Sequence, residues 1–157
     1  MDLNADVGEG CGDDAALMPL ITSASIACGA HAGDATSMRR TVEVAMSRGV
    51  SIGAHVAYPD REGFGRRELS LPPATITDEV LGQVRALDAV TRAAGTRVCY
   101  LKAHGALYNR MADDADTADA VIAAIRTFDA SLALLTLPDS VAMERARARG
   151  LKVFGEA

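Results

Sequence analysis

Six short apolar runs, "DLNADV", "SASIACG", "VSIGAHV", "RVCYLKAH", "LALLTL" and "LKVFGEA", recur along the chain with helical patterns or long loops between them. This alternation constrains the fold more than any other feature. Parallel neighbours need a crossover of a dozen or more residues, and the intervening segments supply it, so the pattern predicts a parallel sheet covered by helices. Met38, Val42, Ala45 and Met46 mark one helix, ended by Gly49. Val80, Val84, Leu87 and Thr91 mark a longer one ending near Gly95, with a capping-box spacing from Thr75 to Asp78. Ala118, Val121, Ile122 and Ile125 mark a third, with Asp113, Asp114 and Asp116 near its start. A fourth follows Pro138 and Asp139 and stops near Gly150. The segment "AYPDREGFGRRELSLPPATIT" breaks the rhythm as a long loop of the kind that covers a site.

The length of 157 residues suits one hydrophobic core. Because the last strand run lacks the helix that follows the earlier ones, we expect residues 1–157 to be a single β/α barrel domain without its C-terminal strands and helices. The fold class expected is α/β, with parallel βα repeats forming part of a barrel.

Composition narrows the function. A net charge of −5, with "RRE" and "RARAR" the only basic clusters, argues against nucleic acid as a partner. Three widely spaced cysteines without a CxxC pair fit a reducing compartment. No basic leader opens the chain, and no apolar stretch reaches the ~18 residues of a membrane span, so a cytoplasmic protein without membrane association is expected.

All three histidines come at or just beyond strand ends: His31 after "ASIACGA", His55 after "SIGA" and His104 in "YLKAHG". Parallel α/β folds bind ligands beyond the C-terminal ends of their strands, which predicts that the three imidazoles share one face. The first run contributes to that face. Its alternation sets Asp2, Asn4 and Asp6 on one side and Leu3, Ala5 and Val7 on the other, and a polar row in a buried strand calls for a charged network or a metal. Two histidines and a carboxylate leave open positions for water or substrate, so Asp6, His31 and His55 are the expected metal set, with Asp34 close by. Metal-free acid–base work by His31, His55 or His104 is the competing role. Lys102 shares parity with His104 and can neutralise charge developing on an oxygen. Glu156 repeats that placement at the last strand, sharing parity with Phe154. Arg61, Arg66 and Arg67 in the long loop offer bidentate forks for a carboxylate or phosphate, as a lid over an anion would. No phosphate-loop or dinucleotide fingerprint occurs: "GEGCG" alone is too weak.

Taken together, "DLNADVGEG", "SIACGAHAGD", "IGAHVAYPDREGFGRR", "LKAHGALYN" and "VFGEA" resemble the LamB/YcsF family, in order and over essentially the whole chain. The resemblance implies a distorted β/α barrel of about seven strands, of the glycoside hydrolase and deacetylase type. It implies a cytoplasmic hydrolase acting on a cyclic amide, which opens 5-oxo-L-proline to L-glutamate at the expense of ATP and works with B and C subunits. The family pattern falls on Asp6, Glu9, His31, Asp34, His55, Asp60, Arg61, Lys102, His104, Tyr108, Asn109 and Glu156. With the chemistry above, the candidate catalytic groups are Lys102, His104, Glu9 and Glu156. The candidate ATP-binding groups are Arg61, Arg66 and Asn109, and the candidate divalent-metal ligands are Asp6, His31 and His55. Ala30, Val56 and Ala103 depart from the family pattern and alter pocket shape more than reactivity. A metal-dependent deacetylase or amidohydrolase is the alternative activity, and a non-catalytic subunit binding a small molecule is a third reading. Self-association into a homo-oligomer is left open.

Overall fold

The protein, described by a computed structural model over residues 1–156, is built on six parallel strands whose order in the sheet is their order in the chain. They are β1 (Asn4–Val7), β2 (Ser23–Ala27), β3 (Ser51–Val56), β4 (Tyr100–Ala103), β5 (Ala133–Thr136) and β6 (Val153–Gly155). The helices are α1 (Asp14–Leu17), α2 (Ala35–Ser47), α3 (Pro73–Ala93), α4 (Gly105–Asp113), α5 (Ala115–Asp129) and α6 (Val141–Ala148). The expected strands are all present. The short α4 and α1 are additions, because the first follows β4 almost without a break and neither carries a long apolar stripe.

One face of the sheet makes the core. Val7, Ile26, Ile52, Val56, Leu101 and Leu134 point to the helices and are buried with Met38 and Val42 of α2, Val84 and Leu87 of α3, and Ile122 and Ile125 of α5. Register then fixes the opposite face, since Asn4 pairs with Ser23 and Asp6 with Ser25, so the polar row of β1 continues into serines of β2.

That polar face is concave. In a flat sheet β1 and β4 would lie three steps of about 4.8 Å apart. Instead the Asn4 amide of β1 donates directly to the Tyr100 hydroxyl of β4 at 2.8 Å. The strands therefore curl into a half-barrel, and the polar groups of its interior satisfy one another: Asn4 also donates to Ser23 at 2.7 Å, and Ser25 donates to Asn4 at 3.0 Å. The Tyr100 ring crosses the curl over Gly53 of β3, where a Cβ would lie 2.1 Å from ring carbons.

Helix α3 differs from its expected start. It begins at Pro73 with Pro72 at the N-cap position and no side-chain cap, so Thr75 lies inside the helix. Proline replaces the capping box, because its fixed φ suits the first turn and its missing N–H would have had no partner there. The "RARAR" run ends α6 as a clamp on α5: Arg145 Nε donates to Asp119 at 2.6 Å and Arg149 pairs with the same carboxylate at 2.8 Å. No helix among the described residues is long and apolar enough to cross a membrane.

Candidate functional site

The C-terminal ends of β1 to β4 bring four distant side chains together. Glu9 follows β1, His31 follows β2, His55 lies in β3 and His104 caps the start of α4. Glu9 Oε1 lies 2.9 Å from His31 Nε2, 3.4 Å from His104 Nδ1 and 3.6 Å from His55 Nε2, and His55 Nε2 lies 3.1 Å from His104 Nδ1. The His31 and His104 rings stack at 4.0 Å, with His55 edge-on to both.

The donor set fits a divalent ion. Metal–nitrogen bonds of about 2.0–2.1 Å in a tetrahedron place neighbouring donors roughly 3.3 Å apart, and one donor atom from each of these four residues falls within 4.8 Å of all the others. His31 Nδ1 is buried without a partner. It is the ring nitrogen pointing away from Glu9, so among the described residues the hydrogen bonding of this imidazole is confined to the cluster.

Electrostatics favour the same state. Burial would push the Glu9 carboxyl up, but the hydrogen bond to His31 and the three surrounding imidazoles hold it below the usual carboxylate range. Burial, and then the neighbouring imidazoles, pull His55 well below the ordinary histidine value and also lower His104. One carboxylate and neutral imidazoles are what a bound cation requires.

Beside the cluster runs a charged row. Lys102 Nζ lies 3.2 Å from Asp6 Oδ1 and 3.1 Å from Glu156 Oε2, with the side-chain Oδ1 of Asn4 at 3.5 Å. Asp6 Oδ2 reaches back to His55 Nε2 at 3.4 Å. Tyr108, from α4, donates to Glu156 at 2.5 Å and holds its carboxylate toward Lys102. The pairing of Lys102 with Leu135, and of Leu135 with Phe154, puts an apolar wall next to this row.

The long loop seats on the cluster from above. Its start is pinned by Gln83 of α3, which accepts from Ala57 N at 2.9 Å and donates to Ala57 O at 2.8 Å. Its interior is organised by the buried Asp60, whose carboxylate accepts from Arg67 Nε at 2.8 Å, Arg67 Nη2, Gly63 N at 3.0 Å and Arg67 N at 3.2 Å. The Arg67 hydrogen bond, ahead of the backbone donors, holds Asp60 below the ordinary aspartate range. A depressed folded value means that the contribution is present above the unfolded value of about 3.9 and is lost as pH falls through the folded one. The amides of residues 63–67 should therefore lose protection, exchanging faster relative to their intrinsic rates, below about pH 4. Asp60→Asn should show that fast exchange already at neutral pH, and equal protection in both proteins at pH 7 would remove Asp60 as the organiser.

The structure gathers Asp6, Glu9, His31, His55, Lys102, His104 and Glu156; Glu9 and His104 share the ligand cluster with His31 and His55 of the expected metal set, while Asp6 stands beside it, 3.4 Å from His55 Nε2. Arg61, Arg66 and Asn109 lie apart from it. Arg61 donates to the carbonyls of Gly29 at 3.1 Å and Gly33 at 2.8 Å, bracing the His31 loop. Arg66 rests its guanidinium 5.4 Å over the Phe64 ring and lines, with Asn109, an open hollow outside the half-barrel. Asp34 caps α2, accepting from Thr36 N and Ser37 N at 2.8 Å. Sequence reasoning missed Gln83 and Phe64. A glutamine among Val80, Val84 and Leu87 on a buried helix face was a usable signal for the first, whereas Phe64 acts through its backbone and left none.

A model of the LamB/YcsF family matches residues 1–157. The chain belongs to this family. A relative from Streptomyces avermitilis, the A subunit of a 5-oxoprolinase, is 53% identical over 162 residues, covering 100% of this chain and 65% of its own. The crystal structure of a lactam utilization protein from Thermus thermophilus superposes with a TM-score of 0.97 at 43% identity, over 99% of this chain and 65% of that one. The LamB/YcsF chain described here thus spans just under two thirds of the length of both.

Proposed function

We propose that this chain carries the ring-opening site of an ATP-coupled, cytoplasmic 5-oxoprolinase that converts 5-oxo-L-proline to L-glutamate together with B and C subunits. In that reading residues 1–157 contribute six strands to one barrel domain. The observation that supports it most is the convergence of Glu9, His31, His55 and His104 beside Asp6, Lys102 and Glu156 at one end of the half-barrel. The likeness to the A subunit of a 5-oxoprolinase supplies the substrate class.

A lactam resists water because attack must break amide resonance. Transfer of a phosphoryl group from ATP to the lactam oxygen makes the ring carbon electrophilic, and water adds to it. The C–N bond then breaks as the nitrogen takes a proton, and a second water cleaves the acyl phosphate to L-glutamate and phosphate. Asp6, at the rim of the cluster, is placed to accept the proton of the attacking water, and Lys102 to offset negative charge building on oxygen. Glu156, held by Tyr108, keeps the ammonium of Lys102 aimed across the half-barrel. A divalent ion held by Glu9, His31, His55 and His104 would supply Lewis-acid polarisation and an activated water. The wall of Leu135 and Phe154 suits the methylene edge of a small ring.

The same cluster favours a second reading, ATP-independent hydrolysis of an acyclic amide or N-acyl group by a bound metal. Metal analysis and glutamate release, measured with the B and C subunits present, separate the readings. The proposal expects stoichiometric metal and ATP-dependent glutamate release that disappears with chelation and in Glu9→Gln. Amide hydrolysis without ATP would favour the second reading, and binding of 5-oxo-L-proline without turnover in the full set would reduce the chain to a binding role.

A further inference from the structure

The loop over the cluster touches it through its backbone. Phe64 has φ +55°, a left-handed conformation rare for an aromatic residue, and Gly65 follows at φ +67°. These two consecutive carbonyls turn to the same corner of the sheet: Phe64 O lies 2.9 Å from His104 Nε2, and Gly65 O accepts from Ala106 N at 2.9 Å. The fit leaves no slack. A Cβ on Gly65 would lie 2.9 Å from His31 Cβ and 3.0 Å from His104 Cδ2, and one on Gly105 would lie 2.5 Å from Gly65 O. The Phe64 ring meets both stacked imidazoles edge-on at 5.4 and 5.5 Å.

A carbonyl can only accept. The nitrogen of His104 that faces Phe64 O must therefore carry the proton, which leaves Nδ1 with its lone pair directed at Glu9 and His55. His55 has two possible acceptors, the Lys102 carbonyl 3.3 Å from its Nδ1 and His104 Nδ1 3.1 Å from its Nε2. His55 Nε2 lies 3.1 Å from the His104 lone pair and can donate to it, so only when His55 turns its proton to the Lys102 carbonyl do both lone pairs face one centre, an arrangement that needs a positive charge between them.

We propose that the Phe64 carbonyl, aimed by the left-handed turn at Phe64 and Gly65, locks His104 as the Nε2–H tautomer and so presets the cluster for a cation. Phe64 is a positioning residue: outer hydrogen bonds of this kind fix ring orientation and tautomer, and their loss typically lowers metal affinity by about 10–100-fold. Backbone held in a sparsely populated region beside a site is where such a device is found. The role in cation binding rests on the metal reading above, while the tautomer lock itself does not.

The test is the ring tautomer of each histidine in metal-free protein labelled with nitrogen-15, read from long-range proton–nitrogen spectra at about pH 8, well above the usual histidine value. The lock expects Nε2–H at His104. Gly65→Ala, which pushes the loop off both rings, should convert His104 to a tautomer mixture and weaken Zn2+ binding by roughly 10–100-fold. Phe64→Gly keeps the carbonyl and tolerates the positive φ, so it should retain the Nε2–H tautomer although the ring packing is gone. Nδ1–H at His104 in the unaltered protein would overturn the proposal, and this measurement stands even if Gly65→Ala fails to fold. An intact tautomer in folded Gly65→Ala with the loop displaced would overturn it too. Nε2–H at His104 without Zn2+ uptake would support the lock and reject the metal reading.

Discussion

Lys102→Met is expected to lower the turnover of the proposed ATP-dependent ring opening by roughly 10^2–10^3-fold with little change in KM, the cost typical of removing one preorganised donor from a developing oxyanion. Lys102 sits between Asp6 at 3.2 Å and Glu156 at 3.1 Å, so its charge is already balanced in the ground state and adds little to substrate affinity. Its value comes when an oxygen nearby gains charge. Methionine keeps the length and apolar stem of the side chain while removing that charge, and leaves two carboxylates facing one another. Lys102→Arg should not restore the rate, since a planar fork cannot replace a compact ammonium in the same gap. Steady-state glutamate release with the proposed B and C subunits measures both. A Lys102→Met rate within threefold of the parent would take Lys102 out of the chemistry.

Gly53→Ala should destabilise the fold by about 3 kcal/mol or more, from overpacking of some 1–3 kcal/mol together with lost hydrogen bonds of about 1 kcal/mol each. The added methyl would lie 2.1 Å from two carbons of the Tyr100 ring, too close for any small adjustment. The ring must leave, and its hydroxyl then abandons Asn4 at 2.8 Å and Ser25 at 3.2 Å, both on the far side of the curl. At this chain length a loss of that size lowers Tm by roughly 6–12 °C. Thermal unfolding of Gly53→Ala, Tyr100→Ala and the double variant decides the cause. Once Tyr100 is truncated the alanine should cost almost nothing, and costs that simply add would show that the ring is not what Gly53 accommodates.

Much of this was legible because strand parity is rigid. The alternation Asn4, Ala5, Asp6, Val7 assigns each side chain to a face without knowledge of the rest, and β1 follows it into the serine row of β2. The histidines were legible for the same reason, each lying where a parallel strand ends. Parity stops at the strand, and Glu9 lies beyond it in a glycine-rich turn, so nothing in "GEGCG" fixes the direction of its carboxylate. The loop was recognisable as a cover from its length and glycines. Its arginines were expected to face an anion, yet Arg61 braces carbonyls and Arg67 is taken up by Asp60, because buried backbone and carboxylate groups inside a folded loop compete for the same donors. Contacts made by main-chain atoms, such as Phe64 O on His104, carry no residue signature at all.

The strand order also bears on biogenesis. Each new strand docks on the one synthesised just before it, so the sheet can be laid down from one edge during translation without waiting for distant segments. Contacts across the curl, such as Tyr100 to Asn4 and Lys102 to Asp6, must wait until roughly a hundred residues beyond β1 have been made and can bend back onto it.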